Sequence, residues 1–128
     1  MTLRPHTNHP HGLTDKEFSA FFTKDKPITF VFHGYSSLVH RLTYSRPNHE
    51  NLHVYGYQEE GTTTTPFDMT VLNAIDRFHI VQYVVRSLPK QGKKEKELVR
   101  LMDKKLSAHR RHVVTHGEDM PEIRNWKW

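Results

Sequence analysis

The feature that most restricts what this chain can fold into is a succession of three segments: ITFVFHG from residue 28, SSLVHRLTYSRP from residue 36 and NLHVYGY from residue 51. The first is rich in β-branched and aromatic residues, so it predicts a strand buried on both faces and ended by Gly34. In the second, Leu38, Val39 and Leu42 recur at helical spacing, behind a serine pair able to cap and ahead of Pro47 as a stop. The third alternates, with Leu52 and Val54 on one face and His53, Tyr55 and Tyr57 on the other. Strands joined through a helix pair in parallel, because a parallel partner can be reached only by a crossover. The expected class is therefore α/β.

The flanks fill in the rest. Residues 1–13 carry prolines and histidines without an apolar period and read as an N-terminal arm, leaving residues 14–128 as the domain. Thr14 and Glu17 have capping-box spacing, which predicts a helix from Asp15 to about Thr23 with Phe18, Phe21 and Phe22 along it. Beyond the second strand, Phe67, Val71, Ala74, Phe78, Val81, Val85 and Leu88 recur in steps of four and three. That stripe predicts one long helix, ended by Pro89, that covers the two strands. A last amphipathic helix is expected from about Lys94 to Thr115, with Leu98, Met102, Leu106 and Val113 inward and Gly117 as its cap.

Composition removes several classes of function. The chain of 128 residues has no cysteine, which excludes disulfides, thiolate metal sites and a cysteine nucleophile. Its net charge of +5 is concentrated between Lys90 and Arg111, where the pattern is that of a solvated helix face, so nucleic-acid binding is not expected. No apolar run approaches the roughly 18 to 20 residues of a membrane-spanning helix, and the N-terminus lacks a signal-peptide apolar core. A cytoplasmic chain that binds no membrane is the expectation.

Chemistry is harder to find. In EEGTTTTPFDM, residues 59–69, Pro66 suits a first helical position and Thr65 suits the N-cap before it. Thr62, Thr63 and Thr64 remain at the exit of a parallel strand, where open α/β sheets place ligand sites, although packed hydroxyls bonded to their own loop are the simpler explanation. With His33, Arg41 and His49, these threonines form the candidate set for an effector or domain contact. His6, His9 and His11 in the arm, and His109, His112 and His116 on the last helix, have spacings that could share a metal, but no cysteine or carboxylate pair completes either cluster, and His33, His40, His49 and His53 suit structural hydrogen bonds. No nucleophile elbow surrounds Ser36 and Ser37, and no Gly-Asp-Gly metal signature is present. Residue by residue, no catalytic, cofactor-binding or metal site is legible.

The stretches HPHGL, DKPITFVFHGY, HRLTYSRPNHENLHV, GYQEEGTTTTPFDMTVLN, DRFH and HGEDMPEIRNWKW together resemble the C-terminal end of the phosphoketolases. Ser36-Ser37, where Pro-Trp is expected, and Tyr55, where arginine is common, depart from that pattern. The resemblance implies a transketolase C-terminal-like three-layer domain, its small, mainly parallel sheet covered by helices and lacking its first strand, with Met1 starting a fragment. It implies a longer parent enzyme dependent on thiamine diphosphate and Mg2+. That enzyme cleaves xylulose 5-phosphate, or fructose 6-phosphate, with phosphate to give acetyl phosphate and glyceraldehyde 3-phosphate or erythrose 4-phosphate. No position here matches the family's cofactor or acid-base residues. The expected role is a structural and assembly domain, inactive alone, that packs on the preceding thiamine-binding domains within a homo-oligomer. The alternative is a regulatory module for a phosphate-bearing effector.

Overall fold

The computed structural model describes residues 2–58 and 63–127. Its contacts divide the chain into two compact units, Met1–Gly56 and Tyr57–Trp128. The first unit contains β1 (Thr2–Pro5), β2 (Gly12–Leu13), α1 (Asp15–Phe22), β3 (Ile28–Tyr35) and α2 (Ser36–Thr43), together with all of β4 (Leu52–Tyr57) but its last residue. β1 pairs with β2 and β3 with β4, giving small parallel two-stranded sheets. The α/β class and the parallel crossover are as expected. Gly56 is needed where β4 meets the end of β3: a Cβ there would run into the carbonyl oxygen of Gly34 and lie 2.8 Å from the Ser36 amide nitrogen.

Two expectations for this unit need correction. No residue of β3 is fully buried, and the strand runs through Gly34 to Tyr35. A sheet of only two strands with one eight-residue helix, α2, against it does not enclose both faces of the central run. Neither serine caps α2; Tyr35 occupies the N-cap position without a side-chain bond.

Residues 2–13 are more ordered than their lack of apolar period suggests. The Thr2 amide donates to His11 O at 3.0 Å and the His6 amide to Leu13 O at 3.1 Å, so the segment closes on itself as the β1–β2 pair. Its fastening is Arg46, whose side chain is 0% exposed. The guanidinium donates to Leu3 O at 2.7 Å, Leu13 O at 2.9 Å, Arg4 O at 2.5 Å and Asp15 Oδ1 at 3.1 Å. It also lies over the Phe18 ring, 4.8 Å from the centroid. A buried charge is tolerated only when its donors are satisfied, and the planar fork of arginine is suited to divergent carbonyl acceptors. α1 presents Phe18 to this cluster. Its capping box is complete, with the Thr14 amide donating to Glu17 Oε2 at 2.8 Å and the Glu17 amide to Thr14 Oγ1 at 3.2 Å.

The second unit is helical: α3 (Pro66–Leu72), α4 (Arg77–Arg86), α5 (Lys93–His116) and α6 (Pro121–Arg124). The single helix expected from Phe67 to Leu88 is in fact α3 and α4, separated by a break at residues 73–76. Ala74 takes a left-handed conformation, φ 54°, and Asp76 starts α4 by accepting from the Phe78 amide at 2.8 Å and the His79 amide at 3.3 Å. Asn73 fills the end of α3. Its side chain donates to Met69 O at 2.8 Å and accepts from the Gln58 amide at 2.5 Å. Splitting the stripe lets Phe78 and Val85 of α4 and Met102 of α5 share one core, since α4 and α5 pack together. Within it Gln82 donates to Asp103 at 2.7 Å. α5 is close to its expected bounds and ends at Gly117, φ 69°, whose amide donates to Val113 O. Among the described residues no helix is long and apolar enough to cross a membrane.

Candidate functional site

The threonine segment leads into the most strongly buried polar cluster of the second unit. Thr65 is the N-cap of α3, as the sequence predicts: its hydroxyl accepts from the Asp68 amide at 3.2 Å. The same hydroxyl donates to Asp119 Oδ1 at 2.5 Å, just beyond α5. Thr64 donates to Asp68 Oδ2 at 2.6 Å. Asp68, on the first turn of α3, and His109, on the inner face of α5, have side chains 1% and 0% exposed. His109 Nε2 lies 3.3 Å from Asp68 Oδ1 and 3.8 Å from Asp119 Oδ1. Arg110 Nη1 approaches Asp68 Oδ2 from outside at 3.8 Å, and the Phe67 ring meets the imidazole edge-on at 5.1 Å.

This arrangement places an imidazole between two carboxylates and encloses it. It joins three stretches of chain: the start of α3, the middle of α5 and the turn before α6. The carboxylate of Asp68 has its charge near the amide end of α3, where the helix dipole favours it.

The sequence candidates are divided between the two units. Thr62 lies outside the described residues. Thr63 and Thr64 belong to the second unit, with Thr64 already engaged by Asp68. His33, Arg41 and His49 belong to the first unit. There His49 faces His40 edge-on at 5.9 Å, and Arg41 stands in the last turn of α2. Of the histidines at helical spacing, His109 turns inward to Asp68 while the rings of His112 and His116 lie 4.4 Å apart, tilted by 37°. Sequence reasoning missed Asp68, His109 and Asp119 as a cluster. The one local signal was the threonine-proline start of α3, which fixes where Asp68 stands but says nothing of α5.

Known proteins match this chain over its full length. A probable phosphoketolase of Mesorhizobium japonicum is 59% identical over 128 residues, probable phosphoketolase 2 of a Nostoc species 58%, and a probable phosphoketolase of Nitrosomonas europaea 60%. In each, the chain spans 16% of the relative's length. The resemblance carried by EEGTTTTPFDM and the terminal EIRNWKW is thus borne out across the chain. Since the model of the XFP C-terminal domain family also matches residues 1–128, the chain belongs to that family.

Proposed function

We propose that this chain is the structural and assembly domain of a phosphoketolase, in which it holds neighbouring domains and subunits in place without taking part in the chemistry. The observation that carries this reading is the fate of the threonine hydroxyls. Thr64 and Thr65 both spend their donors on carboxylates of the same unit, so these two hydroxyls of the segment that most resembles a ligand loop are engaged within the chain. Polar groups bonded this way order a backbone, and they are not free to recognise a ligand.

The parent enzyme in this proposal is cytoplasmic and homo-oligomeric. It converts xylulose 5-phosphate or fructose 6-phosphate with inorganic phosphate to acetyl phosphate and the shortened aldose phosphate. Thiamine diphosphate with Mg2+ supplies the carbanion chemistry there. The buried carboxylates of this chain do not fit that cofactor: Asp76 caps α4 and contacts His79, and Asp68 is held beside His109. A diphosphate-bound metal needs carboxylates that face outward in a shared, solvent-reachable site. In this proposal the cofactor is held by the preceding thiamine-binding domains, which are also the packing partners.

The test is reconstitution. The purified chain with thiamine diphosphate, Mg2+, xylulose 5-phosphate and phosphate is expected to form no acetyl phosphate. Added to a parent enzyme truncated before the matching segment, it is expected to co-sediment and to restore turnover. Acetyl phosphate from the chain alone, or a truncated parent that assembles and turns over normally without it, overturns the assignment.

A further inference from the structure

We infer that a cavity between β1 and the end of α2 is a binding site for a phosphate group carried by a small molecule or by inorganic phosphate. The cavity has a volume of about 300 Å3 and is lined by Arg4, Asn8, Arg41, Leu42, Tyr44 and Ser45, all in the first unit. Arg4 comes from β1 and Arg41 from the last turn of α2. Three other arginines have carboxylate neighbours, Arg46 with Asp15, Arg110 with Asp68 and Arg124 with Glu118, while Arg77, Arg86, Arg100 and Arg111, like Arg4 and Arg41, have none among the described residues. Among the described residues, the guanidinium groups of Arg4 and Arg41 have neither a carboxylate nor a hydrogen-bond partner.

Two exposed guanidinium groups lining one cavity repel each other weakly in water, and an anion between them would remove that repulsion, their planar forks matching the oxygens of a phosphate. Their proximity is built into the fold. Arg46 takes the carbonyls of Leu3 and Arg4, which fixes β1 beside the segment that follows α2 and so brings Arg4 toward Arg41. Neutral donors complete the lining. The Oδ1 of Asn8 accepts from the Thr7 hydroxyl at 3.1 Å, leaving its amide nitrogen to donate, and Tyr44 and Ser45 add hydroxyls. The carbonyl end of α2 opposes an anion with about half a unit charge, which two full guanidinium charges outweigh. The volume stands at the lower end of small-molecule sites, which suits a phosphate with a few carbons attached. This inference is independent of the assembly role, because it concerns residues that the threonine cluster does not touch.

Amide NMR on the full 128-residue chain tests it. Inorganic phosphate in one series and glycerol 3-phosphate in another are titrated at constant ionic strength against a chloride reference. Saturable shifts at Arg4, Asn8, Arg41 and Ser45 are expected, and the tighter series identifies the source of the phosphate. R41Q is expected to weaken binding about tenfold or more, as loss of a charge-assisted pair implies. R41K, which keeps the charge without the fork, should lie between, and R100Q on α5 should bind as the unsubstituted chain does. Arg41 is exposed, so R41Q should keep the remaining spectrum unchanged. Shifts that chloride reproduces, a response without saturation, or equal affinity in R41Q overturns the site.

Discussion

Replacing Arg46 with methionine should detach the N-terminal strand pair from the first unit. Methionine keeps most of the apolar stem, so contact with Phe18 persists and the loss is confined to the donors. Leu13 O retains the His6 amide as a partner, and Asp15, 68% exposed, loses only a screened ion pair. Leu3 O and Arg4 O lose the Arg46 donors. At about 1–3 kcal/mol for each buried acceptor left unpaired, less what is recovered by no longer burying a charge, R46M should cost about 3 kcal/mol. Urea denaturation at neutral pH reads that loss, and hydrogen exchange locates it, with the Thr2 and His6 amides exchanging faster while those of α5 are unchanged. R46K should recover little, because one ammonium group cannot reach carbonyls on both β1 and β2. A stability change within about 0.5 kcal/mol, with the Thr2 and His6 amides still protected, would refute the reasoning, since it would mean that β1 and β2 are held by something other than Arg46.

Three further outcomes follow from single residues. T65V removes both the N-cap of α3 and the bond to Asp119, and denaturation should show a loss of about 1–3 kcal/mol. A74G relieves a left-handed alanine and should raise stability by about 1 kcal/mol at most, seen as a melting temperature higher by a few degrees. The Glu17 carboxyl is held below the usual glutamate range, first by the Thr14 amide and then by the Thr14 hydroxyl. Its folded pKa is the lower one, so the capping box contributes stability at neutral pH that is lost as acidification passes through that folded value. A carbon-detected titration should place the Glu17 midpoint below that of an ordinary glutamate, and T14A should move it part of the way back.

What the sequence made legible was local. The capping box of α1, the Thr65-Pro66 start of α3 and the Gly117 end of α5 each depend on residues within one helical turn, and all three stand where expected. The parallel crossover was legible because its three segments follow one another directly. The break at Ala74 was hidden by periodicity: Phe67, Val71, Ala74 and Phe78 keep helical spacing across it, and only the pair of side-chain caps, Asn73 and Asp76, distinguishes two helices from one. The order of residues 2–13 was not visible because its donors sit on Arg46, far along the chain. The same holds for the candidate site. Thr65 and Asp119 are 54 positions apart, and helical spacing grouped His109 with His112 and His116 when its buried neighbour is Asp68.

The Arg46 fastening also sets an order of events during synthesis. The carbonyls of Leu3 and Arg4 leave the ribosome 43 and 42 positions before the side chain that will bind them. At about 5–20 residues per second, that interval is roughly two to nine seconds, far longer than the microseconds in which a short helix such as α1 forms. α1 can therefore be in place while β1 and β2 still lack their anchor, and Phe18, which Arg46 later covers, stays open to water or to a chaperone for that time. β1, made before the rest of its unit, becomes among the last of that unit to settle.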